Sequence, residues 1–150
     1  MKKTTLCYIM NNNSVLMLYR NKKENDYNEG KWIGIGGKLE SDETPEECLV
    51  REVMEETKIM LNSWHFYGII HFRSDCWGNE DMYLYSSDDY HAPNELPECN
   101  EGELRWVEKE NILDLPTWEG DKYFLKPMIE GIKNIEITLE YQGDELINVF

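Results

Sequence analysis

The sequence predicts one α+β or layered α/β/α domain over residues 1–150, with helices packed on a mixed β-sheet. Two amphipathic helical segments, residues 44–57 and 121–133, stand among short β-rich segments. No internal repeat, low-complexity stretch or linker divides the chain, and 150 residues suffice for about one hydrophobic core. Helices of this kind bury their apolar sides against a sheet, which is why a layered arrangement is expected.

The first element predicted is a β-hairpin. Residues 5–10 and 15–19 are rich in β-forming side chains, and the three asparagines at 11–13 are typical of a turn. Residues 21–30 are polar and charged, which indicates a surface loop. Residues 31–37 then place three glycines among apolar side chains, a composition that allows close approach of the backbone to a neighbour.

The first helix has a strong start signal. Thr44 suits the N-cap, Pro45 suits the first helical position, and Glu47 completes a capping box with Thr44. The helix is expected to extend to about Thr57.

The middle of the chain predicts further strands. Residues 59–72 alternate apolar and polar side chains and suggest a long, interrupted strand, and residues 82–85 suggest another. Residues 88–100 are polar and turn-rich. A strand is expected at 104–107, followed by a short helix near 110–113.

The second helix is predicted over residues 121–133, followed by a terminal hairpin of strands 135–141 and 146–150 around a turn at 142–144. Apolar side chains recur at helical spacing and are expected to pack in the core. They are Phe124, Leu125, Met128, Ile129 and Ile132.

The formal net charge of −15 restricts the partners of the chain. Nucleic-acid polymers and anionic membranes bind basic patches, so neither is expected as a main partner. A phosphorylated small molecule remains compatible, because bound Mg²⁺ reverses the local field. The sequence does not indicate an oligomeric state.

The four cysteines and the apolar pattern predict a cytoplasmic protein. None of Cys7, Cys48, Cys76 and Cys99 forms a CxxC pair or has zinc-ligand spacing, so reduced thiols are expected. The N-terminal residues lack the apolar stretch of a signal peptide, and no run approaches the roughly 20 apolar residues of a membrane span.

One face of the first helix carries a cluster of carboxylates. At about 100° per residue, Glu52, Glu55 and Glu56 share an arc of about 100° next to an apolar arc containing Val53. Carboxylates at this spacing repel one another, and oxygen ligands in this number suit Mg²⁺ or Mn²⁺. The alternative is a solvent-exposed acidic face, the more common meaning of a charge run. Gly37 and Glu43 at fixed offsets upstream favour the metal site.

This set of positions resembles the Nudix box, G-x5-E-x7-R-E-U-x-E-E-x-G-U with U aliphatic, of the Nudix hydrolase superfamily. The matching residues are Gly37, Glu43, Arg51, Glu52, Val53, Glu55, Glu56 and Ile59. Lys58 departs from the pattern, because the family has a glycine there that ends the helix in a left-handed conformation. The resemblance implies the Nudix fold, an α/β/α sandwich, over the single domain.

Three further segments resemble the MutT-type branch, which includes the oxidised purine nucleoside triphosphatases. Residues 32–38 resemble its W-x-G-x-G-G-K segment, residues 100–107 its late acidic-then-Trp strand, and residues 117–124 its W-x-x-D segment at the base pocket.

The resemblance implies a role for each matching residue. Glu52, Glu55 and Glu56 would bind Mg²⁺, with the Gly36 carbonyl and Glu101 as further ligands, and one of the three helix glutamates would accept the proton of the attacking water. Arg51 would orient the carboxylates by bidentate contact. Lys38 and Gly37 would bind the substrate, with Lys38 in contact with phosphate, or else Lys38 is an exposed strand lysine.

The base pocket follows from the third segment. Trp118 would stack on a base, or else be ordinary core packing, and Asp121 would hydrogen-bond the base edge, or else cap the following helix. Ile33 and Gly120 depart from polar residues that read the base in the mammalian members of the branch, so weaker base discrimination is expected. Four strand aromatics are expected either to line a pocket or to belong to the core: Tyr8, Phe72, Tyr83 and Tyr85. The composition of residues 21–30 and 75–81 makes them candidate mobile loops over the site.

The expected activity is Mg²⁺-dependent hydrolysis of a nucleoside triphosphate, such as the oxidised purine nucleotide 8-oxo-dGTP, to the monophosphate and pyrophosphate. Such an enzyme would remove damaged nucleotides before polymerases use them. Two alternatives stay open. One is hydrolysis of another nucleoside diphosphate derivative, such as ADP-ribose, a nucleotide sugar or a dinucleoside polyphosphate. The other is a non-catalytic nucleotide-binding module.

Overall fold

The computed structural model describes residues 1–150 and contains nine β-strands, two α-helices and one 3-10 helix. The strands are β1 (Lys2–Asn11), β2 (Ser14–Arg20), β3 (Trp32–Ile33), β4 (Ile35–Lys38), β5 (Met60–Ser74), β6 (Glu80–His91), β7 (Gly102–Glu108), β8 (Ile135–Gln142) and β9 (Glu145–Val149). The helices are α1 (Pro45–Thr57) and α2 (Lys122–Ile129), and the 3-10 helix spans Lys109–Asp114.

The nine strands form one mixed sheet, in which seven follow the order β3-β2-β1-β6-β5-β8-β9 and the other two, β4 and β7, pair with β1 and β2. The β1–β6 and β5–β8 pairs are parallel, whereas the other pairs are antiparallel. Strand β1 is central because it pairs with β6 along one side and with both β2 and β4 along the other. Strand β7 adds to the free side of β2. The predicted N-terminal hairpin is therefore confirmed, with Asn12 in the left-handed region of its turn.

The helices cover opposite faces of this sheet, and two separate cores result. Helix α1 packs on β1, β4 and β5, where Leu49 and Val53 are fully buried against Ile35 and Tyr85. Helix α2 packs beside β8 and the 3-10 helix, with Phe124 buried in the second core. The layered α/β/α prediction is confirmed.

Helix α1 begins as the sequence predicts. The Thr44 hydroxyl accepts from the Glu47 amide and the Glu47 carboxylate accepts from the Thr44 amide, so the capping box is complete. The helix ends at Lys58, which adopts the left-handed conformation (φ 61°, ψ 17°) and donates its amide to the Met54 carbonyl. The lysine therefore makes the same helix exit that a glycine would make, with the strain of a Cβ in that region.

Two predicted boundaries are wrong. Helix α2 ends at Ile129 instead of Lys133, because the chain turns through Gly131 at φ 79° to enter β8, and this leaves Ile132 half exposed instead of in the core. Strand β6 extends to His91, into the segment predicted to be turn-rich. It does so because its last residues pair with the start of β5, where the exposed carboxylate of Asp89 also receives hydrogen bonds from Asn62 and Ser63.

No helix in the structure combines the length and the apolar character that a membrane crossing requires.

Candidate active site

The candidate site is a cavity of about 390 Å³ beside the N-terminal half of β1. Its walls come from β1, β4, β6 and α1, from the two loops 21–31 and 75–79, and from the segment that leads into α2. One end is acidic and glycine-rich, with Gly36, Gly37, Lys38, Glu52 and Glu101 on its wall. The other end is largely apolar and contains Trp118 and Asp121. Residues predicted from three distant segments therefore share one cavity.

Arg51 organises the acidic end. Its guanidinium makes a bidentate contact with Glu43, Nε to Oε2 at 2.7 Å and Nη2 to Oε1 at 2.8 Å. The Nη1 atom donates to Glu52 Oε1 at 2.8 Å and to Glu55 Oε2 at 3.3 Å. Hydrogen bonding from Arg51 holds the pKa of Glu43 at about 2. One arginine thus fixes three carboxylates, and the Arg51 side chain itself does not line the cavity.

The three glutamates of α1 differ in their surroundings. Glu52 lines the cavity, and burial raises its pKa in spite of the hydrogen bond from Arg51. Glu55 is more than half exposed, does not line the cavity, and accepts a hydrogen bond from Arg51. Glu56 is partly buried, and its Oε2 atom is enclosed without any hydrogen-bond partner.

Glu101 brings a fourth carboxylate to this end from the turn before β7. It receives hydrogen bonds from Arg20 at 3.2 Å and Lys23 at 3.0 Å. Burial raises the pKa of Glu56, and contact with Glu101 raises it further. Burial also raises the pKa of Glu101, but contacts with Glu56, Lys23 and Arg20 outweigh burial, so the pKa of Glu101 is lowered. Glu56 is therefore the more readily protonated of these two carboxyl groups.

Two glycines of β4 allow these groups to approach. A Cβ on Gly37 would lie 2.5 Å from the Glu52 carboxyl carbon, and one on Gly36 would lie within 1.9 Å of the Thr5 carbonyl oxygen. Gly36 is therefore required for the pairing of β4 with β1, and Gly37 for the position of the Glu52 carboxylate.

These residues fit a divalent cation. The donors are hard oxygen atoms, the type that Mg²⁺ and Mn²⁺ prefer. Burial raises the pKa of both Glu52 and Glu56, and one Glu56 oxygen is enclosed without a partner, so a cation would relieve an existing electrostatic cost. The acidic side chains do not already converge into a finished cage of three ligands.

Trp118 forms a wall at the other end of the cavity. Its indole Nε1 donates to Asn28 Oδ1 at 2.8 Å, and Lys31 Nζ lies 4.3 Å from its ring centre. The Tyr141 ring meets it edge-on at 5.1 Å. Trp118 is buried among core residues and also lines the cavity, so its position is compatible with both alternatives, core packing and stacking on a base.

Asp121 does not cap helix α2, because its side chain makes no capping hydrogen bond and its backbone is already helical (φ −62°, ψ −32°). The side chain is 5% exposed and lines the cavity. Burial raises its pKa to about 7, although the Trp118 backbone and Lys31 act in the opposite direction. A carboxyl group with this pKa is partly protonated near neutrality, and its protonated form offers one donor and one acceptor to a ligand.

Several residues that line the cavity belong to no sequence motif. Asn28 and Tyr27 on the first loop, Trp77 on the second, and Lys2 and Glu80 at the starts of β1 and β6 all line it. Both loops had been predicted to lie over the site, but no motif singled out these side chains. Of the four aromatics left open, Phe72 lines the cavity, whereas Tyr8 and Tyr85 are buried in the two cores and Tyr83 packs at the edge of one.

Comparison with known sequences identifies one family. A sequence model of the NUDIX domain matches residues 1–127. A Bacillus subtilis protein named as an uncharacterized Nudix hydrolase, YvcI, is 29% identical over 145 residues, which cover 94% of this chain and 87% of that protein. The oxidized purine nucleoside triphosphate hydrolase of Danio rerio is 27% identical over 128 residues, which cover 83% of this chain and 79% of that protein.

Comparison with solved structures shows the same fold. A mutator MutT protein from Bacillus halodurans superposes with a TM-score of 0.88 at 26% identity. The match covers 100% of this chain and 97% of that one.

Proposed function

The chain belongs to the Nudix family and is a Nudix hydrolase, and from that premise we propose that it hydrolyses nucleoside triphosphates to the monophosphate and pyrophosphate with Mg²⁺ or Mn²⁺. The observation that carries the proposal is the continuity of one cavity from Glu52 and Lys38 to Trp118 and Asp121. An acidic, glycine-lined end suits a metal-bound polyphosphate, whereas an apolar end with a stacking indole and one buried acid suits a base.

We assign the chemistry to the acidic end. Glu52, Glu56 and Glu101 would hold the metal with the Gly36 carbonyl, and Glu55 would join them from the exposed side of α1. A divalent cation supplies charge neutralisation of the phosphates and acidifies bound water. One of the three helix glutamates accepts the proton of the attacking water. Arg51 fixes the carboxylates in place, and Lys38, which is exposed at the rim and has no ion-pair partner, contacts phosphate beside Gly37.

We propose an oxidised purine triphosphate such as 8-oxo-dGTP as the first substrate to test, with nucleotide-pool sanitation as the role. The name of the Danio rerio relative supports this choice. A protonated Asp121 would present a donor and an acceptor to the base edge. Ile33, an apolar side chain, lines the same cavity and offers the base no hydrogen bond. We therefore expect weak discrimination between oxidised and normal purines.

The test is an initial-rate assay with Mg²⁺ on oxidised and normal purine and pyrimidine triphosphates, together with ADP-ribose, a nucleotide sugar and a dinucleoside polyphosphate. Release of pyrophosphate from triphosphates is the expected result. Inorganic phosphate or a sugar phosphate as the main product would contradict the proposal and favour the other hydrolase activities.

A double variant tests the alternative that the chain is a non-catalytic nucleotide-binding module. The Glu56→Gln variant, combined with Glu55→Gln, removes two of the proposed carboxylates while keeping the size of both side chains. Turnover that survives in this double variant at the wild-type rate would rule out the catalytic assignment.

A further inference from the structure

A row of three aromatic rings extends from the base end of the cavity to its mouth. The Trp118 and Tyr27 ring centres are 6.3 Å apart, and the Tyr27 and Trp77 centres are 5.7 Å apart. All three side chains line the cavity. They come from three separate segments, so the row exists only because the two loops meet over the site.

The loop that carries Trp77 is held in place. The Ser74 hydroxyl accepts from the amides of Cys76 at 3.2 Å and Trp77 at 2.9 Å. The Asp75 carboxylate accepts from the Gly143 amide at 2.9 Å, which ties this loop to the β8–β9 turn. Gly78 supplies the left-handed residue (φ 81°) that returns the chain to β6. The indole is therefore presented to the cavity by an anchored turn.

The neighbours of Trp77 favour a planar ligand. Tyr27 is half-buried between the two indoles, with Lys2 Nζ 5.2 Å from its ring centre and Lys2 paired to Glu80 at 3.2 Å. Trp77 itself remains 46% exposed although its ring contacts Tyr27. A large indole left open beside a cavity offers a face for stacking on an aromatic group of the ligand.

We propose that Trp77 is a substrate-binding residue that contacts the nucleoside part of the triphosphate and favours purines over pyrimidines. The inference rests on the proposed function, because it assigns Trp77 to the same cavity. Trp77 is the most exposed ring of the row, and the hydrogen bonds of Glu52 and Glu55 on α1 go to Arg51, not to Trp77. A contact with the nucleoside alone does not change while the phosphates react, so its loss is expected to affect KM and to leave kcat unchanged.

The test compares Trp77→Ala and Trp77→Phe with wild type on purine and pyrimidine triphosphates. Loss of a base–aromatic stack is expected to raise KM for purine triphosphates about fivefold or more in Trp77→Ala, with kcat within about twofold. The rise is expected to be smaller for pyrimidines, because their rings offer less stacking area. Trp77→Phe keeps an aromatic ring and should restore most of the affinity.

The matched control is Trp106→Ala on β7. Trp106 is also partly exposed, at 38%, but it does not line the cavity, so its KM values should equal those of wild type. An unchanged purine KM in Trp77→Ala, with wild type active, would overturn the role of Trp77 alone. Equal KM increases for both base classes would overturn the purine preference. A wild-type enzyme that hydrolyses no triphosphate would overturn the proposed function, and this inference with it.

Discussion

Arg51 and Glu43 form a two-pronged ion pair, with both N···O distances between 2.7 and 2.8 Å, that joins the segment before α1 to the helix itself. The same guanidinium donates to Glu52, the one glutamate of α1 that lines the cavity. A planar fork is needed to make these contacts together, and lysine has no such fork.

Arg51→Lys is therefore expected to reduce kcat by about 10- to 100-fold, the usual effect of losing a group that orients metal ligands. The charge is kept, so the change isolates geometry. Steady-state kinetics with saturating Mg²⁺ provide the measurement. A kcat within twofold of wild type would show that Arg51 does not position Glu52.

Glu56→Gln is expected to raise the thermal stability of the metal-free protein and to remove most of the stabilisation by metal. Burial and Glu101 raise the pKa of Glu56, so neutralising it relieves a cost, while a bound divalent cation stabilises only the folded state. Melting temperatures with chelator and with Mn²⁺ measure both effects. Equal Mn²⁺-induced shifts in wild type and variant would argue against Glu56 as a ligand.

The two neighbouring glycines of β4 should respond differently to alanine. In Gly37→Ala the new Cβ meets the end of the flexible Glu52 side chain, so we expect loss of activity with little change in unfolding free energy. In Gly36→Ala it meets the Thr5 backbone, so we expect a destabilised fold. Urea denaturation and activity assays on both variants separate the effects. A fully active Gly37→Ala enzyme would contradict the assignment of Glu52.

The raised pKa of Asp121 is expected to make the free energy of unfolding depend on pH. Its pKa is raised to about 7 in the folded protein from 3.8, so between these values the folded state holds a proton that the unfolded state has lost. Stability from this group is complete below pH 4 and is lost as pH rises toward 7, by at most about 1.4 kcal/mol per pH unit.

The measurement for Asp121 is urea denaturation of wild type and Asp121→Asn at several values between pH 4.5 and 8. Wild type should lose stability relative to the variant up to about pH 7, and the difference should then stay constant. Other buried carboxyl groups contribute equally to both proteins and cancel. Parallel profiles over the whole range would show that Asp121 ionises normally.

Lys58→Gly should stabilise the protein by about 0.5–1 kcal/mol. The lysine occupies the left-handed region at φ 61°, where a Cβ is strained, and glycine removes this strain at some cost in unfolded-state entropy. Gly131→Ala is the reciprocal control, since Gly131 has φ 79° and open space around its missing Cβ. It should lose about 1 kcal/mol. A destabilised Lys58→Gly protein would show that the lysine side chain contributes more than its strain.

The sequence by itself determined the local elements and the family. The capping box of Thr44 and Glu47, the start of α1 and the N-terminal hairpin depend on contacts between near neighbours, which a sequence pattern records directly. The Nudix-box spacing likewise identified the acidic face of one helix. The sequence does not predict the end of α2 or the full length of β6, because both depend on tertiary contacts. Helix α2 ends where the chain turns through Gly131 into β8, and β6 is as long as its pairing with β5.

Only the tertiary structure decided the character of the base end. The sequence allows Asp121 to be either a helix cap or a ligand-binding group. In the structure its side chain is buried, lines the cavity with Trp118, and does not cap α2. Trp77 and Tyr27 lie 50 positions apart and meet only because the loops after β2 and β5 leave the sheet at the same end, beside the start of β1. Contacts of this range arise from chain topology, whereas a local pattern specifies only the side chains of its own turn or strand.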